Sequence, residues 1–406
     1  MPLNDVNVAL NDGGLGRREP SLDMVCGLVT NAVSVVGGLQ NSTAYELKSL
    51  NDLVALGVTA SYDTTNGVLL YHTVKEFFRM NVSGTLWLYT TAQGTTMTAM
   101  MGASGAAKSL LVAAGGVIRV LGVSLNPASG YTPTLTAGLD NTVSPAVSAA
   151  QALAEAEFTA HRPVQFIVEG RSFNGTASSA LDLRTLDAEN VSVVIAQDKA
   201  AVDAAGAHAG AAAIGTLLGT VSRAKVNESV CWVERFNIQS VVDQAFLTPE
   251  LSSGNLVTSY SDTDLSTLND KGYVFARVHT GLSGAYWSDS HTCKATSSDY
   301  SYIENNRVAQ KAARLIRTAF LPKLGSPVLV DETTGKLDRA LVTYFEGLGS
   351  QALNEMGRSG EVSGFDVVID PEQDILSTSQ LVVRYSITPT GTARRIVNQI
   401  FFNNPF

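Results

Sequence analysis

The 406-residue sequence predicts an α/β fold followed by an α+β one, with extended strand arms at both termini. Three observations carry this reading. From Leu22 to about Asn237, short apolar runs alternate with stretches at helical spacing, the rhythm of an open sheet with helices packed on it. After Ile238 the rhythm stops, and two long amphipathic helices and a few strands follow. Both ends then alternate apolar with polar residues: Val6, Val8 and Leu10 at the start, and Leu381, Val383, Tyr385 and Ile387 near the close. A period of two marks a half-buried strand. An apolar strand with a free edge aggregates unless something pairs with it, so both ends are predicted to add strands to neighbouring copies.

The elements follow in order. Leu22–Val29 reads as a strand. Thr43-Ala44-Tyr45-Glu46 has the spacing of a capping box, and Leu47, Leu50, Leu53, Val54 and Leu56 continue it as a helix that Gly57 stops. Val68–Met80 is a second helix and Leu86–Tyr89 a strand. The same alternation gives helix Met97–Ala114 and strand Val117–Leu125, then helix Pro145–Ala160 and strand Val164–Val168. Pro145 suits a first helical position, where a missing amide costs nothing. Strand Val191–Ala196, helix Ala207–Ala224 and a last strand at Val230–Val233 close the series. Asn255–Asp270, rich in Ser, Thr and Asp, reads as a crossing between domains. Beyond it come strand Tyr273–Val278, the turn Gly281–Trp287, helices Tyr302–Leu321 and Lys336–Met356, and strands Phe365–Ile369 and Leu381–Ile387. The last two alternating segments, Gln380–Pro389 and Thr392–Phe402, are joined by Pro389-Thr390-Gly391. The division that results is an arm over 1–20, an α/β domain over 21–255, an α+β domain over 256–388 and a strand arm over 389–406.

Composition narrows the function. A chain this long exceeds one ordinary core. The 37 acidic against 28 basic residues leave a net charge of −9, the wrong sign for a general nucleic-acid binder. Asn4, Asp5, Asn11 and Asp12 interrupt any apolar run at the start, so no signal peptide is expected. The apolar stretches around Ala99–Val123 and Ala204–Val221 carry Lys108, Arg119 or His208 and read as buried elements, not membrane spans. Cys26, Cys231 and Cys293 are few and scattered, as befits reduced structural thiols, and the Asn-X-Ser/Thr sequons at Asn41, Asn81, Asn174, Asn190 and Asn227 are taken as chance.

No catalytic constellation emerges. Gly102-Ala103-Ser104-Gly105-Ala106-Ala107-Lys108-Ser109 approaches a phosphate loop, but Ala107 stands where Gly must precede Lys, and the run lies in a helical stretch. Gly13-Gly14-Leu15-Gly16 opens no helix and reads as a hinge, not a dinucleotide fingerprint. Of His72, His161, His208, His279 and His291, only His279 and His291 lie near a cysteine, Cys293, and a structural zinc site lacks its remaining ligands. No Gly-X-Ser-X-Gly elbow or carboxylate pair is present. No enzyme activity, cofactor or metal is therefore expected. Arg307, Lys311, Arg314 and Arg317 form one basic stripe on the Tyr302–Leu321 helix, which reads either as a solvated face or as a docking ridge for an acidic partner.

Several segments, in this order, resemble the contractile tail sheath proteins of phages, R-type bacteriocins and phage-tail-like injection particles. They are Val6-Asn7-Val8-Ala9-Leu10 and Arg17-Arg18-Glu19-Pro20 before the first strand; Leu268-Asn269-Asp270-Lys271-Gly272; Gly284-Ala285-Tyr286-Trp287; Asp299-Tyr300-Ser301-Tyr302 with Arg307-Val308; Gly335-Lys336-Leu337; and Pro389-Thr390-Gly391-Thr392-Ala393. The Ser/Asp-rich run Gly281–Tyr302 departs from that pattern. The resemblance implies an inner sheath domain formed by the C-terminal half plus the N-terminal arm, with the α/β region as an inserted outer domain. It further implies arm strands at Val6, Val8, Leu10, Ile396, Val397, Ile400, Phe401 and Phe402 that complete sheets in adjacent subunits. Hinges fall at Gly13, Gly14, Gly16, Pro389 and Gly391, and a tube-facing contact at Arg307, Lys311, Arg314 and Arg317. The implied partners are other copies of the chain, an inner tail tube protein, and baseplate and tail terminator proteins. No nucleic acid and no membrane insertion are implied. The setting is a virion tail or phage-tail-like particle assembled in bacterial cytoplasm. The competing readings are a soluble α/β enzyme with an unrecognised ligand site and a non-contractile tail or shell polymer.

Overall fold

The structure, a computed structural model, describes residues 22–205 and 208–402. The expected arm strand at Val6, Val8 and Leu10 and the hinges Gly13, Gly14 and Gly16 lie outside the described residues.

The first part is built on a seven-stranded sheet. Its strands are β1 (Val25–Asn31), β2 (Ala44–Leu47), β3 (Thr85–Thr91), β4 (Val120–Val123), β5 (Gln165–Glu169), β6 (Val191–Val194) and β7 (Tyr273–Val274), in the order β7-β6-β5-β4-β1-β3-β2. All neighbours run parallel except β2, which is antiparallel to β3 at one edge. Burial on both faces explains why these strands read as continuous apolar runs. Val25 and Val29 point into one core with Leu121, Phe166 and Val191, against helices α3 (Ala106–Ala113) and α4 (Val143–Thr159). Cys26 and Leu28 point into the other with Leu86, Leu88 and Ile167, against α2 (Leu70–Met80) and α5 (Ile214–Arg223). The crossing of α5 over α2 is tight. A Cβ on Gly215 would lie 2.0 Å from the Thr73 carbonyl oxygen, and one on Gly219 2.6 Å from that of Phe77.

The C-terminal part pairs α7 (Ile303–Phe320) with α8 (Arg339–Arg358) and an antiparallel hairpin, β8 (Val362–Val368) and β9 (Arg384–Pro389). Val308, Ala312, Leu353, Met356 and Val362 form its core, with Phe365, Tyr385 and Ile387 packed alongside. The hairpin is a two-stranded sheet. Among the described residues both its outer edges are without a neighbouring strand.

Several expectations need correction. Thr43–Glu46 is no helix start: β2 runs there, and α1 (Leu50–Ala55) begins after Ser49, where Asp52 accepts hydrogen bonds from the Ser49 and Lys48 amides. Leu47 closes β2 and Leu50 opens α1 three residues on, so the strand's last residue fell into the helical spacing and one pattern masked the other. Met97–Ala114 is two helices, Met97–Met101 and α3, broken at Gly102–Gly105. Helix α5 starts at Ile214, not Ala207, and no strand forms at Val230–Val233. The crossing Asn255–Asp270 holds a helix, α6 (Asp262–Asp270), capped by Ser261. Strand β7 joins the large sheet, so the division expected at residue 255 does not coincide with the sheet's end. Within Thr392–Phe402 no strand forms in the single chain.

Candidate functional site

The site begins with helix α7, on which Glu304, Arg307, Lys311 and Arg314 fall at steps of three and four and so line one face. Glu304 lies in the first turn, where a negative charge suits the helix dipole. These residues hold the roots of both chain ends.

At the N-terminal root, Asp23 precedes β1. Lys311 Nζ lies 2.8 Å from Asp23 Oδ2, and Arg314 Nη2 donates to Asp23 Oδ1 at 3.0 Å. Arg307, almost wholly buried, donates from Nη2 to the Asp23 carbonyl and from Nη1 to the carbonyls of Ala224 and Lys225. Lys311 Nζ also meets Glu361 Oε1 at 2.8 Å, beside β8. Burial pushes the Asp23 carboxyl up, but the hydrogen bond and charge of Lys311, with Arg314 and Arg307, outweigh it and hold the group below its usual value. Burial and the neighbouring Arg119 press Arg314 down to about 10.

Within the single chain most of the basic stripe has internal partners. Arg307, Lys311 and Arg314 are occupied inside the chain, and Arg317 alone of the four is exposed. Asp23 and Glu361, the anions that pair with Lys311 and Arg314, sit far off in sequence, so the stripe looked unopposed.

At the C-terminal root, strand β9 ends and Arg394 returns to the body. Its Nε donates to Asp289 Oδ1 and Oδ2 at 2.9 and 3.2 Å, and its Nη2 donates to Ser290 Oγ at 3.2 Å and to Glu304. The guanidinium carbon stands 3.4 Å from the centroid of the Tyr302 ring, a cation–π contact. Asp289 and Glu304 are both buried. Beyond this point Ile396, Val397, Ile400, Phe401 and Phe402 are 66–102 % exposed. Asp23, Asp289, Glu304, Glu361 and Arg394 were all missed as site residues. The one available signal was the acid–base pair Glu304 and Arg307 opening the helix.

The rejected chemical motifs have structural duties. Lys108 pairs with the buried Glu157, which Arg162 also contacts at 2.7 Å. His291 is buried between Arg184 and Asn269 and stacks near Tyr302; burial pulls its pKa down to about 4. Burial pushes the Cys293 thiol up to about 12. Among the described residues no three His, Cys, Asp or Glu side chains gather as metal ligands would. A cavity of about 490 Å³ opens near the carboxyl ends of the strands, lined by Asn66, Pro127, Tyr131, Arg171 and His208 among others. The nearby Glu169 carboxylate accepts from the amides of Leu125 and Ala212, and Arg171 donates to the Leu125 carbonyl. Those groups tie loops together.

Comparison with known proteins agrees with the fold. No curated protein matches the chain in sequence. Among solved structures, the anti-feeding prophage helical sheath in its contracted state aligns over 99 % of this chain and 100 % of its own, at 14 % identity and a TM-score of 0.63. The sheath of an extracellular contractile injection system, the PVC sheath complex in its contracted state, aligns over 99 % and 98 %, at 13 % identity and a TM-score of 0.58. The sheath tail protein Lin1278 of Listeria innocua aligns over 92 % and 96 %, at 9 % identity and a TM-score of 0.50. These neighbours are structural sheath proteins, and the chain shares their fold. Family models match the DUF2586 N-terminal domain over residues 3–291 and the DUF2586 C-terminal domain over 299–406. The chain thus belongs to the DUF2586 family and has the fold of contractile sheath proteins.

Proposed function

We propose that the chain is the structural subunit of a contractile sheath, polymerising helically around an inner tube and contracting to drive that tube into a target envelope. The observation that carries this is the likeness to contracted sheaths over nearly the full length of both chains. The exposed apolar tail and the open-edged β8–β9 hairpin supply the means. Residues 1–20 and 389–406 act as arms, and their strands add to the hairpin edges of neighbouring subunits. Each backbone hydrogen bond so made contributes about 1 kcal/mol net. Such head-to-tail addition does not close on itself and grows a helical polymer. The C-terminal part with both arms forms the inner domain of the particle, and the seven-stranded domain lies outside it. The partners are further copies, an inner tube protein, and baseplate and terminator proteins of a tail-like particle. Contraction needs no nucleotide, because the energy is stored in a lattice assembled in its extended form and held there kinetically.

Electron microscopy of the purified, recombinantly expressed chain tests the proposal. Hollow helical tubes with regular striations are expected, in the contracted form because no tube template is present. Monodisperse monomers or small closed rings would overturn it.

A further inference from the structure

Between the end of β9 and the exposed tail, Thr390–Arg394 does not lie on a packed surface. It roofs a cavity of about 580 Å³ whose walls include Trp232, Arg277, His279 and Trp287. Side chains tie this bridge to the body at two places. Asn227 donates to Thr390 Oγ1 at 3.2 Å, a single contact at the near end. At the far end Arg394 enters the socket of Asp289, Ser290, Glu304 and Tyr302. The Asp289 and Glu304 side chains are only 8 % and 3 % exposed. Arg394 takes Glu304 Oε1, while Glu304 Oε2 is buried with no hydrogen-bond partner. Two buried carboxylates converging on one place require a cation there, since withdrawing it leaves uncompensated charge out of reach of water.

From this we propose that Arg394 is the pin of the C-terminal arm, so that the arm swings about Arg395 and Ile396 and not about Pro389-Thr390-Gly391. The socket's need for a cation keeps Arg394 seated whatever the distal segment does. The five apolar residues from Ile396 to Phe402 then move as a free strand of fixed reach, while β9 and the bridge stay with the subunit. The pin belongs to the single chain. It rests on the sheath reading only for what the freed segment pairs with.

Amide hydrogen exchange on the full chain, read in the unassembled form, tests the pin independently of polymerisation. Residues 392–394 are expected to exchange at least about tenfold more slowly than 396–402. R394Q is expected to abolish that difference while leaving β1 and β4 protected. Should R394Q fail to fold, the triple variant D289N/E304Q/R394Q removes the stranded charges with the cation. It is expected to fold and to exchange freely at 392–394. Equal exchange across 392–402 in the wild-type chain, or undiminished protection of 392–394 in either variant, would overturn the pin. Loss of tubes in the microscope with the exchange pattern intact would instead count against the sheath reading alone.

Discussion

Asp23 shows how much one side chain can organise. It joins the entry to β1 to Lys311 and Arg314 on a helix nearly three hundred residues later, and Arg307 binds its carbonyl. Removing its charge takes the anion from the half-buried Arg314 and leaves Lys311 with Glu361 alone, so D23N is expected to destabilise the fold by about 2 kcal/mol at neutral pH, seen as a lower Tm. The pH dependence has a definite sign. The Asp23 carboxyl is held below its ordinary 3.8 in the folded chain. Its stabilisation is fully present above the unfolded pKa and fades as pH falls through the folded one. The Tm gap between wild type and D23N should therefore narrow below about pH 4. A gap that stays constant from pH 7 into that range would show that the carboxylate contributes nothing electrostatic.

At the scale of elements, the α5–α2 crossing depends on two glycines. A methyl at Gly215 would sit 2.0 Å from a backbone oxygen that cannot rotate away. G215A should cost about 3 kcal/mol or separate the helices, measurable by denaturant titration, whereas alanine at the open Gly364 should cost far less. This scale also shows what the sequence made legible. The strands β1, β3, β4, β5 and β6 and the helices α4, α7 and α8 all announced themselves, because burial on both faces or on one helical stripe imposes a period. What stayed hidden was set by remote partners. Thr43–Glu46 fits a capping box locally, yet pairing with Trp87–Tyr89 makes it a strand. The stripe on α7 was visible, but nothing within a helix's reach told which anions would cover it. Arg394 was just another arginine until folding brought Asp289 and Glu304 around it.

For the whole molecule, the proposed function gives the two ends and the body separable roles. A chain lacking residues 1–16, or one ending at Arg394, keeps the cores on both faces of the sheet, the C-terminal core and the root contacts. Each is expected to melt within a few degrees of the full chain and to stay unpolymerised in sedimentation and microscopy. Striated tubes from either truncation would remove that arm from the assembly. The proposal that the arms polymerise the chain rests on their apolar ends in the sequence, since a period of two with no interior to enter implies an external partner. The basic stripe is harder to read, because a charge pattern alone does not distinguish an outer face from an internal clamp.

Both roots meet on α7, at Glu304 for one and at Arg307, Lys311 and Arg314 for the other. In a mesh where each subunit is pulled by both its ends, force enters at one fastening and leaves at the other. At 1.5 Å per residue the helix between Glu304 and Arg314 spans about 15 Å. Tension would cross the subunit through that short rod and leave the seven-stranded sheet unloaded. Under the proposed function such a domain would be mechanically idle cargo, free to change its outward surface without altering the stiffness of the net that carries it.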